Sequence, residues 1–136
     1  MWEGSAAICI NDENKLLMVL QGAKNEDLKW SIPSGRKIKH ESFEECCIRE
    51  VREETGFIVK IISQLFEKKI ILNDKLIIIK YFRVSLIGGS LSINDPDDLI
   101  HDIQWKAADE INELDLSFPE DRITLLKLLN FNEQII

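Results

Sequence analysis

The stretch of sequence that decides the fold spans residues 35–57 and reads GRKIKHESFEECCIREVREETGF. Ser42 and Glu45 inside it are spaced as a capping box, in which two side chains satisfy free backbone N–H groups at the start of a helix. Gly56 is the residue type that most often follows a helix, because glycine adopts the left-handed conformation at little cost. These signals predict a helix from Phe43 to Thr55.

Carboxylates crowd the C-terminal half of this predicted helix. On a helical wheel of about 100° per residue, Glu54 falls among the apolar positions, and Glu50 and Glu53 lie beside it within an arc of about 100°. The carboxylates therefore overlap the edge of the face that carries Cys47 and Val51, which should point to the core. As i, i+3 and i+4 neighbours they also repel one another when ionised, by about 0.2–0.5 kcal/mol for each pair.

A divalent cation would offset that repulsion, which gives the cluster a chemical interpretation. Mg²⁺ accepts carboxylate oxygens and keeps water molecules in the positions where a phosphate ligand binds. The ordinary interpretation is a solvated acidic face, because acid-rich helices are common. The wheel by itself leaves both interpretations open.

The rest of the chain alternates irregularly between strand and helix patterns. Runs of apolar and β-branched residues predict strands at residues 6–10, 15–20, 58–71, 76–86 and 100–105. A short polar turn separates the first two, which suggests a β-hairpin, and charged residues 67–69 interrupt the third. Glycines at 88–89 and the Asn/Asp/Pro cluster at 94–98 indicate a surface loop. Residues 107–114 and the Leu-rich segment after Pro119 predict helices, so the pattern favours an α/β (α+β) fold with helices packed on a mixed sheet.

Length and charge limit the classes of protein to which the chain belongs. Its 136 residues make one ordinary domain, residues 1–136. The net charge of −7 provides no basic footprint for long nucleic acid, although metal ions can mediate contact with a small phosphorylated ligand. No run approaches the roughly 18 apolar residues of a membrane span, and the N-terminus lacks a secretory signal. We therefore expect no membrane partner and a cytoplasmic location.

Two further residue classes have ordinary explanations. Cys9, Cys46 and Cys47 lack metal-ligand spacing, and free thiols fit a reducing compartment. Four aromatic side chains are candidates for stacking on a nucleobase, but they occupy strand positions, where aromatic residues more often belong to the core. These candidates are Trp2, Trp30, Tyr81 and Phe82.

The central stretch resembles the Nudix box. Its pattern is a glycine, five residues, a glutamate, seven residues and then Arg49-Glu50-Val51-Arg52-Glu53-Glu54-Thr55-Gly56-Phe57. The fixed positions that agree are Gly35, Glu41, Arg49, Glu50, Glu53, Glu54 and Gly56. The resemblance is densest over residues 30–57. It departs at Ser34 and His40, where glycine is more usual, and at Phe57, where an aliphatic residue is.

The resemblance implies a Nudix-type α/β/α sandwich with a mixed β-sheet, in which the box forms a loop, a helix and a second loop. In such a site Glu50, Glu53 and Glu54 would bind Mg²⁺ or Mn²⁺, together with a backbone carbonyl near Ser34. Glu41 would act from the loop before the helix. The remaining roles that the resemblance implies are a mutual pairing of Glu41 with Arg49, conformational freedom at Gly35 and Gly56, and a position for Gly35 against the substrate.

The implied reaction is hydrolysis of a pyrophosphate linkage in a nucleoside diphosphate derivative. Water attacks phosphorus in line while a carboxylate takes its proton, with Glu53 or Glu50 as the candidate base. A nucleoside triphosphate is the first expected substrate; ADP-ribose, a nucleotide sugar or a dinucleoside polyphosphate are alternatives. A nucleotide-binding module without turnover is the alternative of another class, but the box keeps all its glutamates. The expected partner is thus a small nucleotide, bound by a monomer or a homodimer.

An additional acidic residue from a later loop is common in such proteins. The candidates here are Asp95, Asp97 and Asp98, and Asp98 is favoured because it lies just before the strand that ends at Trp105. The ordinary interpretation of this cluster, and the stronger one, is a plain turn rich in Asn, Asp and Pro.

Overall fold

The computed structural model describes residues 1–135, with side chains as far as Asn130. The strands are β1 (Trp2–Cys9), β2 (Leu16–Gln21), β3 (Lys29–Ser31), β4 (Ser34–Arg36), β5 (Phe57–Leu72), β6 (Lys75–Gly89) and β7 (Ile100–Lys106). The helices are α1 (Phe43–Thr55), α2 (Ala108–Ile111) and α3 (Arg122–Ile135), and a 3₁₀ turn, Pro119–Asp121, precedes α3. No helix in this part of the chain is both long and apolar enough to cross a membrane.

The strands form two sheets. One has the order β4-β1-β6-β5, in which β1 and β6 run parallel and the other neighbours antiparallel. The other is antiparallel, with the order β3-β2-β7. Both are built from the apolar runs of the sequence, and the mixed α+β fold predicted from it is confirmed.

Strand β1 shows how the core is divided into layers. Successive side chains of a strand point to opposite faces, so Ala6 and Ile8 join one apolar cluster while Ala7 and Cys9 join another. The first cluster includes Ile111 of α2 and Leu125 and Leu129 of α3. The second includes Cys47 and Val51 of α1. Helices therefore cover the first sheet on both faces.

Helix α1 has the predicted bounds and caps. The Ser42 hydroxyl accepts a hydrogen bond from the Glu45 N–H, and the Glu45 carboxylate accepts one from the Ser42 N–H. Gly56 ends the helix with φ of 82°, and its N–H donates to the Arg52 carbonyl. Local sequence signals suffice here because both ends are closed by residues within the segment.

The predicted hairpin of the first two strands is wrong. β1 and β2 belong to different sheets and share an isolated bridge between Ile10 and Leu16. The pairing edges of β1 are filled by β4 and β6 instead, through contacts distant in sequence. The polar turn is real, and the Asn11 side chain accepts hydrogen bonds from the N–H groups of Glu13 and Lys15.

Strands β5 and β6 form a long hairpin that the sequence predicted in part. The turn at Asn73 and Asp74 is confirmed, with φ of 51° and 63°. The expected interruption at residues 67–69 is absent, because β5 is an edge strand on which charged side chains are tolerated. The two glycines predicted to lie in a loop form the end of β6, where Gly89 pairs with Phe57. The predicted helix at residues 107–114 is shorter, spanning Ala108–Ile111.

Candidate active site

The carboxylates of α1 line a cavity of about 540 Å³. The last two turns of α1 form one wall, β4 forms a second, and the loop between β6 and β7 forms a third. The lining residues are Trp2, Gln21, Ser34, Gly35, Arg36, Ile38, Arg49, Glu50, Glu53, Glu54, Asp95, Pro96, Asp97 and Leu99. Residues distant in sequence thus bring five acidic side chains to one space, which we call the carboxylate cavity.

Arg49 is the cationic centre of this cavity. Its Nε and Nη2 donate to both oxygens of Glu41, at 3.0 and 2.7 Å. Its Nη1 donates to Glu50 at 2.9 Å and to Glu53 at 3.1 Å. The Glu41 carboxylate before α1 therefore orients Arg49, and Arg49 in turn holds Glu50 and Glu53. The guanidinium lowers the pKa of Glu41, and the Glu41 hydrogen bond raises the pKa of Arg49.

Glu50 and Glu54 are held where an ionised carboxylate is costly. Burial raises the pKa of Glu50 to about 7, despite the opposing effect of Arg49 and with a further contribution from the Glu53 charge. Glu54 is 6% exposed, and burial together with the Glu50 charge raises its pKa well above the usual range. The Ser34 N–H donates to Glu54 at 3.1 Å and offsets part of this effect. A positive charge placed in the cavity would stabilise both carboxylates in the ionised form.

Gly35 and Gly56 shape the cavity for different reasons. A Cβ atom on Gly35 would overlap the Glu50 carboxylate, so glycine leaves the space that this carboxylate occupies. Gly56 has a left-handed backbone, and a Cβ there would meet the backbone of Ser90 and Ser92. The sequence indicated conformational freedom at both positions, whereas the requirement at Gly35 is space.

The loop that carries the additional acids is docked on the end of α1. The N–H groups of Ser92 and Asn94 donate to the carbonyls of Thr55 and Glu53, at 2.9 and 2.8 Å. These bonds satisfy carbonyls that the helix end leaves free. The Asp95 carboxylate then closes the loop by accepting hydrogen bonds from backbone N–H groups of Asp97, Leu99 and Ile100.

This docking brings Asp95 and Asp97 to the carboxylate cavity, while Asp98 is not among the lining residues. Asp98 instead has φ of 55° at the turn. The Asp95 charge contributes to the raised pKa values of Glu50 and Glu54. The structure therefore favours Asp95 where the sequence favoured Asp98. The sequence does contain a feature that indicates the role of Asp95 in the loop. Asp95 lies two residues before Asp97, from whose N–H it accepts a hydrogen bond, and this spacing is typical of an Asx turn.

A smaller cavity of about 210 Å³ adjoins the first and shares Trp2, Gln21, Ser34 and Gly35 with it. We call it the aromatic cavity, because Trp2, Tyr81 and Phe118 line it, and Ile79 is a further apolar residue in its wall. Asp121 lies in its wall and accepts a hydrogen bond from the Tyr81 hydroxyl at 2.7 Å.

Of the aromatic residues considered from the sequence, Trp2 and Tyr81 line this cavity. Phe82 is buried in the second apolar cluster of the core, and Trp30 packs against the first cluster. Phe118 and Asp121 were missed because no motif precedes α3; they reach the cavity through packing of the 3₁₀ turn.

A family model described as NUDIX domain matches residues 1–128. The chain belongs to the Nudix family. The resemblance of the central stretch to the Nudix box is thereby confirmed, and the fold agrees with that of solved Nudix structures. A NUDIX hydrolase from Nitrosomonas europaea has a TM-score of 0.80 at 22% identity, over 92% of this chain and 85% of that one. At that identity the likeness concerns the fold.

Curated relatives match a part of this chain. The m7GpppN-mRNA hydrolase of Saccharomyces cerevisiae is 46% identical over 52 residues, which are 38% of this chain and 5% of that protein. A Bacillus subtilis protein named as a candidate 8-oxo-dGTP diphosphatase is 38% identical over 56 residues, or 40% of this chain and 35% of that protein. The matched segments thus cover a minor part of these relatives.

The Nudix box of this chain suits a divalent cation chemically, although its side chains are not arranged around one. Among the residues that the structure describes, no three His, Cys, Asp or Glu side chains lie close enough together to enclose a metal ion, although several line the same cavity. Arg49 pairs with Glu50 and Glu53 and places a positive charge beside them. The ligand set still fits, because its donors are carboxylate oxygens, and burial raises the pKa of both Glu50 and Glu54 in the absence of a further cation.

Proposed function

We propose that this Nudix protein hydrolyses a pyrophosphate linkage in a nucleoside diphosphate derivative, with a nucleoside triphosphate as first candidate, in a Mg²⁺-dependent reaction. The observation that carries the proposal is the convergence of Glu50, Glu53, Glu54 and Asp95 on one cavity beside an aromatic one. A polyphosphate bound through cations needs the carboxylate cavity, and a nucleobase needs the aromatic cavity.

Glu50, Glu53 and Glu54 are the residues that would hold Mg²⁺ or Mn²⁺, with the backbone near Ser34 as a further donor. The cation would neutralise phosphate charge and lower the pKa of the attacking water. The other box residues act on these carboxylates. Glu41 fixes Arg49 by two hydrogen bonds, and Arg49 positions Glu50 and Glu53.

Glu53 is our candidate for the general base. Its side chain is 30% exposed in the cavity, compared with 13% for Glu50. A general base must reach the water whose proton it takes, and the more exposed carboxylate meets that condition better. Glu50 is the alternative, because it lines the same cavity and shares the Arg49 guanidinium with Glu53.

The aromatic cavity is the proposed place for the nucleobase. Trp2 and Phe118 offer apolar ring surfaces, and the buried side chains of Tyr81 and Asp121 complete the lining. Its position next to Gly35 allows a base in this cavity and phosphates in the carboxylate cavity to belong to one ligand. Gly35 is accordingly proposed to contact the substrate.

Three other substrate classes are compatible with the same chemistry. ADP-ribose, nucleotide sugars and dinucleoside polyphosphates place a second group beyond the phosphates, and the carboxylate cavity has the volume typical of a ligand site. A nucleotide-binding module without turnover is the alternative of another class. The retained glutamates Glu41, Glu50, Glu53 and Glu54 favour catalysis over it.

We further propose a reducing, cytoplasmic setting. Cys9, Cys46 and Cys47 are all buried free thiols. Buried thiols without disulfides are ordinary where glutathione and thioredoxin keep cysteines reduced. The acidic net charge of −7 supports a small nucleotide in preference to long nucleic acid as the partner.

The test is a substrate panel with a matched pair of variants. The protein is incubated with Mg²⁺ and nucleoside triphosphates, nucleotide sugars, ADP-ribose or dinucleoside polyphosphates, and the products are resolved by chromatography. Glu53→Gln should lose most turnover while its unfolding midpoint stays near that of the unchanged protein. Glu44→Gln, on an exposed part of the same helix, should keep full activity.

Each outcome of the panel decides between the alternatives. Release of pyrophosphate or phosphate from a triphosphate supports the first candidate, whereas AMP from ADP-ribose supports the second class of substrate. Nucleotide binding without any product would place the binding module first. Unchanged metal-dependent turnover in Glu53→Gln would contradict the assignment of the carboxylates.

A further inference from the structure

The outer edge of strand β5 is unusually apolar for a surface. β5 is the last strand of its sheet, and within residues 1–135 it pairs with β6 alone. Its exposed side chains include Ile62, Leu65, Ile70, Ile71 and Leu72, of which Ile71 is 77% exposed. A long edge strand offers a row of unpaired N–H and C=O groups, and an apolar one favours pairing with another strand.

The segment from Phe66 to Leu72, which we call the edge segment, has the regularity that strand pairing needs. Register shifts interrupt β5 before Phe66, but from Phe66 to Leu72 the pairing with β6 proceeds without interruption. A regular partner on one side keeps the opposite edge straight and its backbone groups evenly directed. This segment is therefore ready to accept a further antiparallel strand.

The two faces of the edge segment carry different chemistry. Phe66 stacks on Tyr81, and Lys68 lies near the Tyr81 and Phe118 rings, so these side chains share the face that carries the 3₁₀ turn. Glu67 and Lys69 alternate with them on the other face, where their side chains form an ion pair of 3.4 Å. Unlike charges two residues apart on one face can pair twice with a second copy of the same segment.

We propose that two copies of this chain pair antiparallel through their edge segments, in the register that places Lys68 opposite Lys68. In this register Glu67 of each copy faces Lys69 of the other, and Phe66 of each faces Ile70 of the other. Directly opposed residues of antiparallel strands have side chains on the same face, so these pairs are in contact. The four-stranded sheet of one copy and that of the other then form one continuous sheet across a two-fold axis.

Charge selects this register over its neighbours. A two-fold axis through Glu67 would oppose two glutamates, and one through Lys69 would oppose two lysines. The axis at Lys68 also opposes like residues, but each Lys68 is already neutralised within its own chain by Asp121 at 2.9 Å and Glu120 at 3.4 Å. The opposite end of the sheet is the three-residue strand β4, too short to continue the array, so the assembly closes at two copies.

Charge exchange tests the pairing in solution. Sedimentation equilibrium over a wide concentration range should show the full chain as a dimer. Glu67→Lys and Lys69→Glu should each place like charges at both ion pairs and weaken association by at least about tenfold. Lys75→Glu, at the start of β6 and away from the outer edge, is the matched control and should leave the dimer unchanged.

The decisive arm mixes the two single variants. A chain with Glu67→Lys and a chain with Lys69→Glu have complementary charges at both pairs, so their mixture should associate at concentrations at which neither variant does alone. Reassociation also shows that both variants are folded. A wild-type protein that stays a single chain at every concentration, single variants that dimerise as tightly as the wild type, or a mixture that associates no better than the single variants would each overturn the proposal.

Discussion

At the scale of single residues, Arg49 explains how a cluster of acids is kept in order before a substrate arrives. Its guanidinium contacts Glu41, Glu50 and Glu53, and these contacts need donors that point in different directions. A planar fork of donors meets that requirement, whereas an ammonium group is a point charge on a flexible chain. The position therefore depends on the shape of arginine as well as on its charge.

Arg49→Lys should accordingly keep the positive charge but no longer hold the Glu50 and Glu53 carboxylates in fixed positions. We expect kcat to fall by about 10–100-fold, the range typical when a residue that orients metal ligands is replaced. KM for the nucleotide should change little, because Arg49 is engaged by carboxylates rather than free for phosphate. Steady-state kinetics at saturating Mg²⁺ measures both constants. Arg52→Lys, exposed on the same helix, is the control, and an equal loss in both variants would contradict the assigned role.

His40 shows a conformational cost that the sequence hinted at. The Nudix box resemblance placed glycine as the more usual residue here, and the structure gives His40 φ of 75°. The left-handed region costs a residue with a side chain about 1–2 kcal/mol, and part of this is offset by the greater chain entropy of glycine in the unfolded state.

His40→Gly should thus raise the free energy of unfolding by about 0.5–1 kcal/mol. Urea unfolding followed by circular dichroism measures the change. Lys39→Gly, one residue earlier and without a positive φ, should lower the stability instead. A His40→Gly protein less stable than the wild type would show that the imidazole makes a contact that outweighs the strain.

At the scale of elements, the sequence predicts best where the controlling contacts are local. Helix α1 is predicted to the residue because its capping box and terminal glycine lie within the segment itself. The hairpin of the first two strands is wrong because strand pairing is decided by partners far along the chain, here β4 and β6. The pattern of apolar residues predicts a strand without specifying its neighbours.

In the candidate site too, the sequence predicts the residues of the local motif but not those that tertiary packing brings to it. Glu41, Arg49, Glu50, Glu53 and Glu54 have fixed spacing, so motif reading finds them. The aromatic cavity depends on how the 3₁₀ turn packs against β6, and no local pattern encodes that contact. The choice among the loop aspartates depends on hydrogen bonds to the last carbonyls of α1, which a sequence does not display.

The docked loop leads to a comparison of two conservative variants. Asp95→Asn weakens the acceptor that closes the loop and removes a charge from the cavity, so turnover should fall by about tenfold or more. Asp98→Asn changes a side chain outside the cavity lining, and asparagine tolerates its positive φ, so activity should stay near wild type. Measuring kcat/KM for both variants in parallel shows which aspartate contributes to activity. The reverse order of the two effects would restore Asp98 as the additional acid.

At the scale of the whole molecule, burial of the cysteines links the core to pH. Burial raises the pKa of Cys9 and of Cys46 to about 11 and that of Cys47 to about 12. A folded-state pKa above the unfolded value means that the folded chain keeps its protons longer. Stability from this source is therefore complete below about pH 9 and is lost as the pH rises towards 11–12.

Thiol labelling measures the same effect directly, because the thiolate is the reactive form. With iodoacetamide at pH 8, the native chain should react far more slowly than the urea-unfolded chain, and all three cysteines should be modified only after unfolding. Between pH 9 and 11 the native labelling rate should rise together with the loss of stability in urea. Fast modification of a single thiol at pH 8 would instead show that the core opens locally at that site. Mass spectrometry of the modified peptides would then assign the opening to β1 or to α1, since Cys9 lies on the strand and the other two lie on the helix.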